Sequence, residues 1–500
     1  MSTWTAAFRA RLAELDAEIV EQQVALKELE RDRIAVHRRL HATSTFPVLT
    51  LPIEITAEIF SLCLPSIEDL REDYLPIGYR LSTQAPTLFL GVCRAWRDLA
   101  LETSALWATV GLCFDSIAVD VASETVVEDF IHQWFGRAGL RPLSIVFSSI
   151  SADSPFTPSR LGDLIHHYAH RLRHIELYIS QHNIPELGLD SATFPLLQRA
   201  VLDDPFDPAP YFSTPVHIYN NAPRLHDLIL LNGTHFSFYT PPSVQLTKFE
   251  GEITSDLNLF VLAPNLVEAK CVVNQLGTPP ALHILHPRLQ FLTLSKSVYS
   301  DNAPDDDGLD ILPHLTLPAL QSLHITDIGD FPQSISLFFT RSSPPLCTLS
   351  TTIGRGRFSE WDTCFSRVAA TLENLQVYFP TPEFQNQVFH LGSEGSIYNP
   401  LPRLRTFHLT TTIQTDYTTL INFLLIRSAT PTLAKIRSFR LVCRSGSCLR
   451  DNNLSGELGT GPGHLATLAN TGIDIHIESM EKTFIKHVQY VPHDPAFNFS

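Results

Sequence analysis

After Gly111 one short phrase keeps returning, and it limits what this chain can fold into more than any other feature. It is usually opened by a proline and carries apolar residues at its first, fourth and sixth positions. Pro223 introduces Leu225, Leu228 and Leu230; His286 and Pro287 introduce Leu289, Leu292 and Leu294. Pro318 introduces Leu320, Leu323 and Ile325, and Pro402 introduces Leu404, Phe407 and Leu409. Looser copies read Leu172-Ile175-Leu177, Leu266-Ala269-Cys271, Leu372-Leu375-Val377 and Ile436-Phe439-Leu441. Successive copies lie about 20 to 32 residues apart, which leaves room for one strand and one return segment per repeat.

The return segments differ in kind. Thr340–Ser343, Trp361–Ala370 and Thr418–Ser428 read as helical, whereas Pro205–Pro215 reads as irregular, so the array is expected to be uneven. The acidic stretch Asp301–Asp310 reads as a solvated excursion, because its carboxylates miss calcium-loop spacing.

Composition narrows the function. At 500 residues, 44% of them hydrophobic, the chain is too long for one compact domain and fits a multidomain or extended architecture. A net charge of −16 with no run of Lys and Arg argues against nucleic acid as a partner. The eight cysteines are scattered, several inside apolar segments, as expected in a reducing compartment. Arg9, Arg11, Glu14 and Asp16 interrupt the first apolar residues, so no secretion signal is expected. No apolar run approaches the roughly 18 residues that a bilayer crossing needs. No membrane is expected, and the expected location is cytoplasmic or nuclear.

The N-terminal region has a different texture. Phe8, Leu12, Leu15, Ile19, Leu26, Leu29, Val36 and Leu40 step by fours and threes, with Gln22 and Arg33 in two seam positions and no Gly or Pro from Trp4 to Leu40. This predicts one long helix, either a coiled coil that forms a homodimer through residues 4–40 or a helix that folds back on its own chain.

Pro47 ends that pattern and a dense apolar stretch, Leu51–Leu64, follows. Pro52 suits a first helical turn and Glu54 favours its positive end. Two apolar rows run along the helix, Ile55-Ile59-Leu62 and Ile53-Ala57-Phe60-Leu64. A second apolar helix is predicted over Thr87–Ala100, followed by Leu106 and Trp107. So few helices cannot bury this much apolar surface among themselves, and a partner surface is expected.

The residues Leu51-Pro52-Ile53-Glu54-Ile55, Ile59-Phe60, Leu64-Pro65, Val92-Cys93-Arg94-Ala95-Trp96 and Leu106-Trp107 resemble the F-box motif over about a ninth of the chain. The repeated phrase resembles the leucine-rich repeat, whose period is roughly 20 to 29 residues. Together they imply an α/β chain: a long coiled-coil-like helix (1–45), a small helical F-box (46–110), an irregular leucine-rich repeat solenoid or horseshoe (111–490) and a C-terminal tail (491–500). In F-box proteins the module binds the Skp adaptor, which leads to a cullin scaffold, a RING subunit and a ubiquitin-conjugating enzyme. By resemblance the adaptor-facing surface or its support would comprise Leu51, Pro52, Ile55, Ile59, Phe60, Leu64, Val92, Cys93, Trp96, Leu99, Leu106 and Trp107. One departure is the insertion near 66–85, longer than the motif usually holds.

On this reading the chain is a non-catalytic substrate receptor whose repeats hold an unknown target protein for ubiquitination, with no metal or cofactor. A non-ligase interaction scaffold is the alternative, which predicts a stable homo-oligomer and no cullin in the purified complex. An enzyme has little to stand on. His166, His167 and His170 put two imidazoles on one helical face but lack a nearby acidic or Cys ligand. Cys443 and Cys448 flank a Ser-Gly-Ser turn without further ligands. Gly456, Gly459, Gly461 and Gly463 lack the Gly-Lys-Ser/Thr of a phosphate loop, and no Gly-x-Ser-x-Gly elbow occurs.

Overall fold

The computed structural model describes residues 2–43, 51–72, 84–113, 124–148, 157–204, 216–236, 239–254, 257–274, 283–296, 311–326, 332–353, 357–389, 401–413, 415–444, 449–450, 472–479 and 483–486. The fold is mixed α/β and divides into two compact units, residues 1–64 with 84–106, and residues 65–83 with 107–500.

The first unit is helical. Its longest element, α1 (Ser2–Thr43), is the single unbroken helix that the absence of Gly and Pro predicts. Next, α2 (Ile53–Leu62) begins just after Pro52, whose carbonyl accepts the Thr56 N–H at 3.1 Å and the Thr56 hydroxyl at 3.3 Å. The helix α3 (Ile67–Glu72) opens the predicted insertion but belongs to the second unit, so the insertion is not simply a loop of the helical module. Residues 73–83 lie outside the described residues.

The expected helix over Thr87–Ala100 is in fact two, α4 (Thr87–Val92) and α5 (Arg94–Glu102). Cys93 between them is fully extended (φ −159°, ψ 170°). Gly91 and β-branched Val92 hold a helix weakly, which makes this the natural place for a corner. Arg97 braces the corner by donating its Nε–H to the Leu90 carbonyl at 2.8 Å.

The second unit is built on one large open sheet. Fourteen parallel strands follow one another in chain order: β1 (Thr109–Cys113), β2 (Leu143–Ser148), β3 (Leu172–Tyr178), β4 (Arg199–Asp203), β5 (Asp227–His235), β6 (Lys248–Thr254), β7 (Glu268–Asn274), β8 (Phe291–Lys296), β9 (Ser322–Thr326), β10 (Thr348–Thr352), β11 (Asn374–Tyr378), β12 (Thr406–Thr411), β13 (Ser438–Cys443) and β14 (Asp474–Ser479). An antiparallel β15 (Thr483–Lys486) closes the series.

Every quoted copy of the repeated phrase supplies one of these strands, and the register aligns the copies. The fourth position runs Leu228, Phe249, Ala269, Leu292, Leu323, Leu349, Leu375, Phe407, Phe439, Ile475 across neighbouring strands. All of these are buried. At the sixth position β6 has Gly251 instead of a large apolar residue. Its φ is +154°, and a Cβ there would sit 2.2 Å from the Leu230 carbonyl oxygen, so only glycine fits this irregular pairing.

The return helices are α6 (Glu124–Arg137), α7 (Pro158–Tyr168), α8 (Asn258–Leu262), α9 (Pro332–Ser342), α10 (Phe358–Val368), α11 (Pro382–Phe389) and α12 (Tyr417–Ala429). Of the three segments predicted helical, Thr418–Ser428 lies in α12, while Thr340–Ser343 and Trp361–Ala370 overlap α9 and α10 and run one and two residues past their ends. Phe423 of α12 packs 5.9 Å from Phe407, so the helix covers the apolar side of the strands. Two arginines repeat one device near the ends of α9 and α12. Arg341 donates to the carbonyls of Leu312 (2.7 Å) and Leu315 (2.6 Å), and buried Arg427 to those of Leu401 (2.9 Å) and Leu404 (3.3 Å). Each satisfies backbone acceptors in the preceding turn.

Pro205–Pro215, Asp301–Asp310, the glycines from Gly456 to Gly463, Cys448 and the 491–500 tail lie outside the described residues. Among the described residues, no helix is long and apolar enough to cross a membrane.

Candidate functional site

The helical module carries its apolar residues on both sides of α2. Inside, Phe60 stacks on Phe89 at 4.0 Å, and Trp96 meets Phe60 edge-on at 4.9 Å and Phe89 at 6.0 Å. This three-ring cluster joins α2, α4 and α5, and offset and edge-on contacts add to the area the rings bury. Outside, the row Ile55, Ile59 and Leu62 is 50%, 42% and 78% exposed. Ile53 at the start of α2, and Leu88 and Val92 one turn apart on α4, are exposed as well. Exposed Glu54 and Glu58 give the α2 surface an acidic rim.

The twelve residues assigned by resemblance therefore divide. Pro52, Ile55, Ile59 and Val92 are exposed and available for contact. Leu51, Leu64, Cys93, Trp96 and Leu99 are half-buried, with Trp96 committed to the ring cluster. Phe60, Leu106 and Trp107 are buried, which fits the supporting half of that assignment, because a side chain with no accessible surface has none to offer a partner. Trp107 belongs to the second unit, where it packs 4.9 Å edge-on from Trp134 with the Arg137 guanidinium 4.5 Å over its ring. Ile53 and Leu88 join the exposed set although neither is among the twelve residues. The signal for Leu88 was its spacing of four from Val92.

The insertion also has a place. Ser66 and Asp69 cap α3 reciprocally: the Ser66 N–H donates to Asp69 Oδ2 at 2.8 Å, and the Asp69 N–H to Ser66 Oγ at 3.1 Å. Those bonds pull the Asp69 carboxyl below the usual carboxylate range. Leu70 lies against β1 at Gly111, where a Cβ would come within 3.0 Å of Leu70 Cδ2.

In the sheet, the side chains between the apolar positions lie on the face opposite the return helices. On β4–β7 this face is charged and self-paired. Arg199, Asp227, Lys248 and Glu268 alternate in sign strand by strand, with Arg199–Asp227 at 3.6 Å, Lys248–Glu268 at 3.0 Å and Lys270–Glu250 at 3.5 Å. From β9 to β12 it becomes a largely neutral polar ladder, and on β13 and β14 it is charged and self-paired again. His324 bonds Ser322 at 3.0 Å, Gln376 bonds His408 at 3.0 Å, and Glu478 meets His476 at 3.2 Å and Arg440 at 3.5 Å. Burial, with Arg440 nearby, pushes the His408 imidazole down to about 4, so it stays neutral near pH 7.

Of the residues weighed for chemistry, His166 and His167 are engaged within the fold and His170 is exposed. His166 on α7 bonds the Gly188 carbonyl at 2.8 Å, and His167 packs against His132 at 5.1 Å. Cys443 is buried on β13. Burial raises the Cys271 thiol far above its ordinary range and the Cys364 thiol to about 12, which removes both as thiolate nucleophiles. Among the described residues, no group of three or more His, Cys, Asp or Glu side chains is placed to hold a metal ion.

What the arrangement offers is surface: an apolar row on a short, internally braced helix, and a long polar sheet face. The chain matches no protein-family model and no curated protein.

Proposed function

We propose that this chain is the substrate-recognition subunit of a Skp–cullin–F-box ubiquitin ligase, with the α2 surface docking the Skp adaptor and the sheet holding a target protein. The observation that carries the reading is the exposed row Ile55-Ile59-Leu62 above the Phe60–Phe89–Trp96 cluster. A helix presenting an aliphatic row on a rigid base suits a groove on a partner. Burying each of these half-exposed side chains contributes about 1 kcal/mol or more.

On the same reading, the fourteen parallel strands are the inner wall of an irregular leucine-rich repeat solenoid. The target lies on the β9–β12 part of this face, because the charges on β4–β7 and on β13–β14 already satisfy one another. Catalysis comes from proximity, since holding a target lysine beside a charged conjugating enzyme makes the encounter intramolecular. The adaptor, cullin and target are partners in this proposal, and the cellular location it requires is cytoplasmic or nuclear.

The test is co-elution of the purified chain with a Skp adaptor on gel filtration, followed by addition of cullin. The expected result is a complex that takes up cullin through the adaptor and that Ile59→Asp abolishes. A folded wild-type chain that elutes apart from the adaptor would leave the scaffold reading in its place.

A further inference from the structure

Every described side chain of α1 from Ala10 to Val36 is exposed, including the seam residues Leu12, Leu15, Ile19, Leu26, Leu29 and Val36. A helix of 42 residues is about 63 Å long, and this one leaves an apolar stripe in water along most of that length. The fold-back alternative gains no support from these residues. We infer that α1 pairs with α1 of a second copy of this chain as a parallel, in-register, two-stranded coiled coil.

The polar seam residues argue for a second copy and for its direction. In heptad terms Leu12, Ile19, Leu26 and Arg33 are a positions, and Leu15, Gln22, Leu29 and Val36 are d positions. In a parallel in-register pair each seam residue faces its own copy, so Gln22 meets Gln22 and the two amides bond each other. In the antiparallel pair that keeps this whole seam overlapped, Leu12 faces Val36, Gln22 faces Leu26 and Arg33 faces Leu15. Gln22 would then sit opposite leucine with nothing to bond, whereas in either arrangement Arg33 can reach water along its stem.

The flanks make the same choice. The antiparallel pairing sets Glu18 opposite Asp32, like charges, and Arg11 opposite Arg39; Arg11 also bridges to Glu14 at 2.9 Å. The parallel pairing sets Glu18 beside Gln23, Ala25 beside Glu30 and Asp32 next to Arg33 of the other copy. Arg33 also favours two strands over three, because its long stem can carry the guanidinium out past Asp32 to water, which a third helix would block. Seen beside the adaptor reading, on which this inference does not depend, a parallel pair would bring two adaptor-docking modules to the same end of the coiled coil.

The experiment uses the full chain. Light scattering at tens of micromolar should give the mass of two chains, and Ile19→Asp with Leu26→Asp should give one, with the melting of the remainder unchanged. Leu12→Cys chains carrying two different tags should form Leu12→Cys self-crosslinks in a glutathione redox buffer, above a wild-type control for the natural cysteines. A mixture of Leu12→Cys and Val36→Cys chains should form no mixed product. A mass of one or three chains, a dimer that survives the double Asp variant, or a mixed Leu12–Val36 crosslink would overturn the inference. Ile59→Asp should remain dimeric, so failure of adaptor docking and failure of pairing are read separately.

Discussion

The helical module and the repeat array use the same apolar residues in opposite ways. In the array the repeated leucines and phenylalanines are buried, and each new strand pairs with the edge that the previous one left open. In the module the rings go inside and the aliphatic residues stay outside: Phe60 is fully buried while Ile59, its neighbour in sequence, is 42% exposed. The array completes itself by repetition, as stacked units do. A module of three short helices has no next repeat, so its surplus apolar surface stays exposed, and on the adaptor proposal it is the docking surface.

If that contrast is right, substitutions of similar size should act very differently in the two regions. The largest effect is expected from Phe439→Ala, which empties a position in the aligned column beside Phe407 and should cost about 3–5 kcal/mol in urea unfolding. Trp96→Ala removes one ring from the three-ring cluster and, being half-buried, should cost about 2–3 kcal/mol, confined to the module. It should also weaken adaptor binding indirectly, by loosening the base beneath α2.

His408 gives a smaller and pH-dependent effect. Its imidazole titrates near 4 in the folded chain and near 6.5 when unfolded. Above about 6.5 both states are neutral and the group has no influence. Between about 6.5 and 4 the unfolded chain takes up the proton first, so stability falls as the pH drops. His408→Gln should flatten that part of the stability curve by about 3 kcal/mol at pH 4 relative to pH 7, with the wild-type curve as reference. The smallest effect on stability belongs to Ile59→Asp, within about 0.5 kcal/mol in the same unfolding assay, because its side chain is largely in water already.

Much of the array was legible because a leucine at a fixed spacing is both the strand signal and the packing contact. Copies were missed where small or polar residues replaced it: Leu197-Ala200-Leu202, Leu246-Phe249-Gly251 and Leu346-Leu349-Thr351 fill the same columns with less hydrophobic signal. The Arg341 and Arg427 carbonyl clamps left no sequence trace, since their acceptors are backbone atoms some 23 to 29 residues away. In the module, the helix over Ile53–Leu62 was readable from its period, but which row faces water was not. Both rows are apolar, and only the ring cluster, which depends on the corner at Cys93, decides between them.

The most direct test of the exposed row as a docking surface is a calorimetric titration of a Skp adaptor into the full chain at several temperatures. The wild type should bind with a negative heat-capacity change, the sign of apolar burial, and Ile59→Asp should bind at least about 100-fold more weakly, near 3 kcal/mol, while its circular dichroism and melting stay unchanged. Equal affinity for the two proteins, or no heat from a folded wild type, would contradict the account.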